Sequence, residues 1–109
     1  MASKQSLVDF LLDQFAGAGL VSAKKMFGEY GLFLDGKLFA LVCDDTLFLK
    51  PTAAGRALFT TVAEAPPYPG AKPCLVVAEA HWDDRDWLAA VARATAEALP
   101  LPKQKTKKT

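Results

Sequence analysis

The sequence predicts an α+β fold: an N-terminal helix, an antiparallel β-meander of about four to five strands, a short middle helix and a C-terminal helix. Three observations carry this. Asp35-Gly36 lies between two apolar alternating stretches, and a two-residue Asp-Gly linker is a strong hairpin signal because a type I′ turn needs positive φ at both central residues. Apolar residues recur at spacings of three and four near both ends of the chain, the helical period. Between the meander and the last helix stand Pro66, Pro67, Pro69, Gly70 and Pro73, which neither helix nor central strand accommodates.

The first helix is expected over Ser6 to Ala16, with Leu7, Val8, Leu11, Leu12 and Phe15 on one face. Ser6 with Asp9 resembles a capping box, and Gly17 and Gly19 are natural stops. Strands follow at about Lys24 to Phe27, Tyr30 to Leu34, Lys37 to Cys43 and Thr46 to Lys50. A two-residue turn pairs Leu34 with Lys37, Leu32 with Phe39 and Tyr30 with Leu41. One face then carries Tyr30, Leu32, Leu34, Phe39 and Leu41; the other carries Gly31, Phe33, Leu38, Ala40 and Val42. If Asp44-Asp45 is also a two-residue turn, Phe48 joins the first face, and Leu47 and Leu49 the second. Both faces are apolar, whereas a sheet with one face in water alternates, so both are expected to be covered. Helices can cover one; the other needs more of the chain, a second copy or a partner protein.

Pro51-Thr52 closes the meander and opens a short helix to about Thr61, with Thr52 as N-cap. Ala65 to Pro73 reads as a loop and Cys74 to Ala78 as a further strand. Asp83 or Asp84 caps a last helix to Leu99, with Trp87, Val91, Ala94, Thr95 and Ala98 on one stripe and Leu88, Ala92 and Leu99 beside it.

The chain has 109 residues, 51% hydrophobic and 23% charged, the balance of one globular domain. A domain at 1–100 and a disordered basic tail at 101–109 are expected. The net charge of +1 conceals an asymmetry. The thirteen basic residues less the four lysines of the last seven positions leave nine against twelve acids, a net −3. That sign disfavours broad contact with phosphates. No stretch approaches the ~18 apolar residues of a membrane span and no secretion signal is evident, so a cytoplasmic protein with Cys43 and Cys74 as free thiols is expected.

Four groups of residues invite a chemical reading. His81, Asp83, Asp84 and Asp86 have metal-ligand types, but their spacing fits neither zinc nor calcium templates; a helix cap with an acidic first turn explains them. Asp44 and Asp45 read as turn formers. The glycines of Phe27-Gly28-Glu29-Tyr30-Gly31 lack the lysine or third glycine of a phosphate loop and suit a bend or bulge. Cys43, Cys74 and His81 could make a catalytic pair only if the fold brought them together. No catalytic residue, metal site or cofactor is therefore expected. Lys103, Lys105, Lys107 and Lys108, with Lys24 and Lys25, are the candidate nucleic-acid contacts, by charge alone.

The run Ala23 to Val42, read as AKKMFGEYGLFLDGKLFALV, resembles the N-terminal domain of the TfoX/Sxy competence regulators. Thr46-Leu47-Phe48-Leu49-Lys50 resembles that family's next strand, and Pro67-Tyr68-Pro69-Gly70 its proline-rich loop. The likeness spans roughly Leu7 to Leu99. Glu29 stands where many members have glycine, and Ala71 to Val77 departs from a Tyr-rich stretch common among them. Full-length members carry a second, helical domain with no counterpart in these residues, so a stand-alone domain is expected. The resemblance implies a non-enzymatic role in transcription or competence regulation through protein–protein contact, with a homodimer or a transcription regulator as partner. The expected contact surface is Lys24, Lys25, Met26, Phe27, Gly28, Glu29 and Tyr30. Nucleic-acid binding through the basic tail, and a small ligand-binding domain or enzyme, are the alternative readings.

Overall fold

The computed structural model describes residues 5–26 and 29–99. Helix α1 (Gln5–Phe15) runs into a 3-10 turn at Ala16–Ala18. Strands β1 (Val21–Met26), β2 (Glu29–Leu34), β3 (Lys37–Cys43) and β4 (Thr46–Leu49) follow. Helix α2 (Ala53–Arg56), strands β5 (Glu64–Ala65) and β6 (Cys74–Val77), a 3-10 turn at Glu79–His81 and helix α3 (Arg85–Ala98) complete the fold. The strands form one antiparallel sheet in the order β1-β2-β3-β4-β6-β5. The α+β expectation holds, with six strands rather than four or five. The extra strand is β5, two residues long and too short to show a period.

Both hairpin turns are as read. Asp35 and Gly36 take φ of 51° and 85°, and Asp44 and Asp45 take 53° and 56°. Positive φ at both central residues gives the right-handed twist of the flanking strands. Asp-Asp adopts it without glycine; the Asp44 N–H donates to Glu29 Oε2 at 3.1 Å.

The register contains one correction with large consequences. Leu34 pairs with Lys37 and Phe33 with Leu38, but Leu32 pairs with Ala40, Gly31 with Leu41 and Tyr30 with Val42. β3 thus carries a bulge, and the consecutive residues Phe39 and Ala40 are both fully buried. Phe39 packs edge-on against Phe15 of α1, ring centroids 5.1 Å apart. A one-residue shift exchanges the two faces of a strand. Leu41 and Phe48 therefore leave the face of Tyr30, Leu32 and Leu34, and Ala40, Val42, Leu47 and Leu49 join it.

The helices cover that face. Val8, Leu11 and Phe15 of α1, and Leu88, Val91 and Ala92 of α3, share one core with Leu32, Phe39, Leu47, Leu49 and Leu75. On α3 the buried stripe is Leu88, Ala89, Val91, Ala92, Thr95 and Ala96. It is rotated from the expected one, and Ala98 is exposed. The expected caps at Thr52 and Asp84 form: Gly55 N–H donates to Thr52 Oγ1 at 3.0 Å and Trp87 N–H to Asp84 Oδ1 at 3.1 Å. Ser6 lies inside α1 rather than capping it. Two further bonds tie α1 to the start of α3. Buried Gln14 donates from Nε2 to Trp82 O at 2.8 Å, and Arg85 donates to Gln14 Oε1 at 3.0 Å.

α2 is shorter than expected, and its position explains why it is there. A Cβ on Gly55 would lie 2.5 Å from Thr95 Oγ1 and 3.0 Å from Thr52 Oγ1, so glycine alone allows this approach to α3. Gly55→Ala sets a helix-propensity gain of up to ~1 kcal/mol against overpacking on a fully buried β-branched side chain, typically ~1–3 kcal/mol. We expect net destabilisation by about 1–2 kcal/mol in urea unfolding, with Thr95→Ala in the same chain recovering part of the Gly55→Ala loss; additive losses would contradict the clash. Asp45→Gly relieves a non-glycine positive φ and should raise stability by about 0.5–1 kcal/mol, read as a higher denaturation midpoint.

Candidate functional site: a groove on the open face of the sheet

The bulge decides what the second face presents. Successive side chains of a strand alternate between faces. The face away from the helices therefore carries Lys24 on β1, Glu29 and Phe33 on β2, Leu38, Leu41 and Cys43 on β3, Phe48 on β4, and Cys74 and Val76 on β6. Cys43, Phe48 and Cys74 are buried together, with Leu41, Ala65 and Val76 packed against them. The proline-rich loop closes part of this face: Pro67 is buried, while Tyr68 remains 54% exposed at its rim.

The rest is open. Gly31 sits in the middle row of the face, opposite Lys24 on one side and Leu41 on the other. It places no side chain there. Beside it lies a groove of about 470 Å³ lined by Glu29, Tyr30, Leu38, Leu41, Cys43, Lys50 and Tyr68. Its floor is apolar and its polar groups stand at the ends.

Electrostatics separate those ends. Burial pushes the Cys43 thiol up to about 11, and the carboxylate of Glu29 and the neighbouring Cys74 add to the shift. Burial also raises the Cys74 thiol, against an opposing pull from Lys50. Glu29 thus marks the Cys43 end and Lys50 the Cys74 end. Both thiols are free and held protonated at neutral pH. A protonated thiol is a poor nucleophile and a poor metal ligand.

The residues singled out in the sequence scatter. Lys24 and Lys25 alternate across β1, so they form no single basic patch. Glu29 and Tyr30 both line the groove, although the Tyr30 side chain lies on the helix side and donates from its hydroxyl to Gln5 Oε1 at 3.0 Å. Met26 ends β1. Phe27, Gly28, Lys103, Lys105, Lys107 and Lys108 lie outside the described residues. His81 stacks on Trp87 at 4.3 Å between centroids, and Asp84 caps α3. Among the described residues no three His, Cys, Asp or Glu side chains gather as a metal site, and no helix is long and apolar enough to cross a membrane. The groove residues Leu38, Leu41, Lys50 and Tyr68 were not among the expected contacts. The Gly31 gap was the available signal, but an apolar β3 hid the bulge that turns Leu41 toward it.

Comparison with known proteins places this architecture. The sequence profile of the TfoX N-terminal domain matches residues 13–99. The chain belongs to the TfoX N-terminal domain family. An uncharacterized 12.7 kDa protein encoded in the trpE 5′ region of Spirochaeta aurantia is 39% identical over 109 residues, covering all of this chain and 94% of the relative. The TfoX N-terminal profile includes every strand and both groove ends.

The raised thiols give a signed expectation. A Cys43 thiol raised from 9.0 to about 11 keeps its proton in the folded state while the unfolded chain releases it. Its contribution to stability is complete below pH 9 and is lost as pH rises through 11. Cys43→Ala should flatten the fall in denaturation midpoint between those values; an unchanged slope would contradict it. At pH 8 Cys43 should react with a disulfide reagent about 100-fold more slowly than in the unfolded chain.

Proposed function

We propose that this TfoX N-terminal domain is a non-enzymatic contact module in transcription regulation, presenting the open face of its sheet to another protein. The observation that carries this is the face itself. An antiparallel sheet face left to water alternates with polar residues, yet here Phe33, Leu38, Leu41 and Val76 are only half-buried and apolar. An apolar floor with a charged and aromatic rim is the composition of a protein interface. The protonated thiols support a binding role over thiol chemistry. The regulatory context comes from the resemblance to the competence regulators.

The groove's volume also supports a second reading, since pockets of ~300–1,000 Å³ hold small molecules. Mass spectrometry of the freshly purified, denatured protein separates the two: a stoichiometric small molecule favours the second.

The contact reading is tested by crosslinking in cells that express the chain. Leu41→Glu and Tyr68→Ser should each reduce the crosslinked protein at least 10-fold, whereas Leu20→Ser, at an exposed position off the groove, should not. Crosslinking that ignores both groove variants would overturn it.

A further inference from the structure

Resting on the reading of the open face as a contact surface, we infer that the partner it fits is a second copy of this chain, docked face to face about a two-fold axis at Leu41. Gly31, Leu41 and Phe48 form one row across β2, β3 and β4. Glu29 lies two residues before Gly31 on β2. Lys50 lies two residues after Phe48, where its N–H extends the ladder by donating to Phe39 O at 2.9 Å. β2 and β4 both run antiparallel to β3, so they point the same way. The carboxylate and the ammonium are therefore displaced in opposite directions, with Leu41 midway between them. At ~4.8 Å between strands and ~3.3 Å per residue their Cα atoms are about 16 Å apart.

This arrangement is self-complementary. An isologous interface requires one patch to match itself. An axis lying between two stacked faces, through Leu41 and across the Glu29–Lys50 diagonal, sets Glu29 of each copy against Lys50 of the other. The same operation meets Leu41 with Leu41 over the apolar floor. On a flat sheet it crosses the strands at roughly 70°, nearer the orthogonal class of sheet packing than the aligned one. An axis running along the Glu29–Lys50 diagonal instead would set like charge against like. Tyr68, exposed at the rim, supplies an aromatic of the kind that anchors interfaces.

The edges offer no comparable route. β5 is two residues long and runs into Pro66 and Pro67, neither of which has an N–H to donate to a ladder. β1 carries Lys24 and Lys25, and lysine on an edge opposes strand addition.

Sedimentation of the purified chain from about 10 μM to 1 mM tests the inference. The wild-type chain should dimerise in that range. Glu29→Lys and Lys50→Glu should each weaken the dimer at least 10-fold. The double variant should restore it, and so should an equimolar mixture of the two single variants, because both exchanges restore opposite charges at both ends. As an independent readout, Leu41→Cys in a Cys43→Ala, Cys74→Ala background should crosslink to itself through a short bismaleimide, and Leu20→Cys should not. A wild-type chain still monomeric at 1 mM, or single-variant losses that neither the double variant nor the mixture rescues, would overturn the inference. If the purified chain stays monomeric while groove-dependent crosslinking to another protein persists in cells, the homodimer fails and the contact module stands. If both are lost, both readings fail.

Discussion

Between Phe33 and Leu32 of β2, the facing strand β3 inserts one residue more than its partner, and the side chains beyond that point obey the opposite parity. Phe39 occupies the insertion and is held there by its edge-on contact with Phe15. The unbulged register would also turn Phe39 to the helix side, opposite Leu32, so what the insertion decides is the side taken by every residue of β3 after it. Once that is set, Ala40, Val42, Leu47 and Leu49 fill the helix-side core, and Leu41, Cys43 and Phe48 are committed to the other face. The core and the groove are thus two outcomes of one packing decision.

The helix side is finished by contacts between parts of the chain far apart in sequence. Gln14, buried at the end of α1, is satisfied only because Trp82 O and Arg85 reach it from the entry to α3. Lys37 donates to Ala96 O at 3.0 Å, placing a cation at the negative end of α3. Trp87 donates to Leu58 O at 3.0 Å and packs edge-on with Phe59, which holds the segment after α2 against α3. Thr95 Oγ1 is the one exception, a buried hydroxyl without a hydrogen-bond partner among the described residues, and it is the atom that Gly55 approaches.

The elements that were legible in the sequence are those decided by local chemistry. Asp35-Gly36 and Asp44-Asp45 announced turns, and Thr52 and Asp84 announced helix starts, because each acts on the backbone within three residues of itself. The bulge was not legible. Lys37 to Cys43 is apolar at six of seven positions, so it has no alternation to betray a change of face. The α3 stripe was misplaced for the same reason: alanines on several sides of the helix leave burial to be decided by what packs against it. The groove escaped because it is made by a side chain that Gly31 lacks and by a tyrosine from a loop. That both faces of the sheet are largely apolar, by contrast, was legible in the strand pattern.

The two edges of the sheet set a limit of a different kind. A sheet that ended in a long, uncharged strand could recruit copy after copy along its hydrogen-bonding direction, and growth of that kind has no natural end. Here one edge stops after two residues at a pair of prolines and the other is guarded by lysines. Growth by strand addition is thus opposed at both ends of the sheet, so a domain with so much apolar strand does not offer its edges as a seed for fibres.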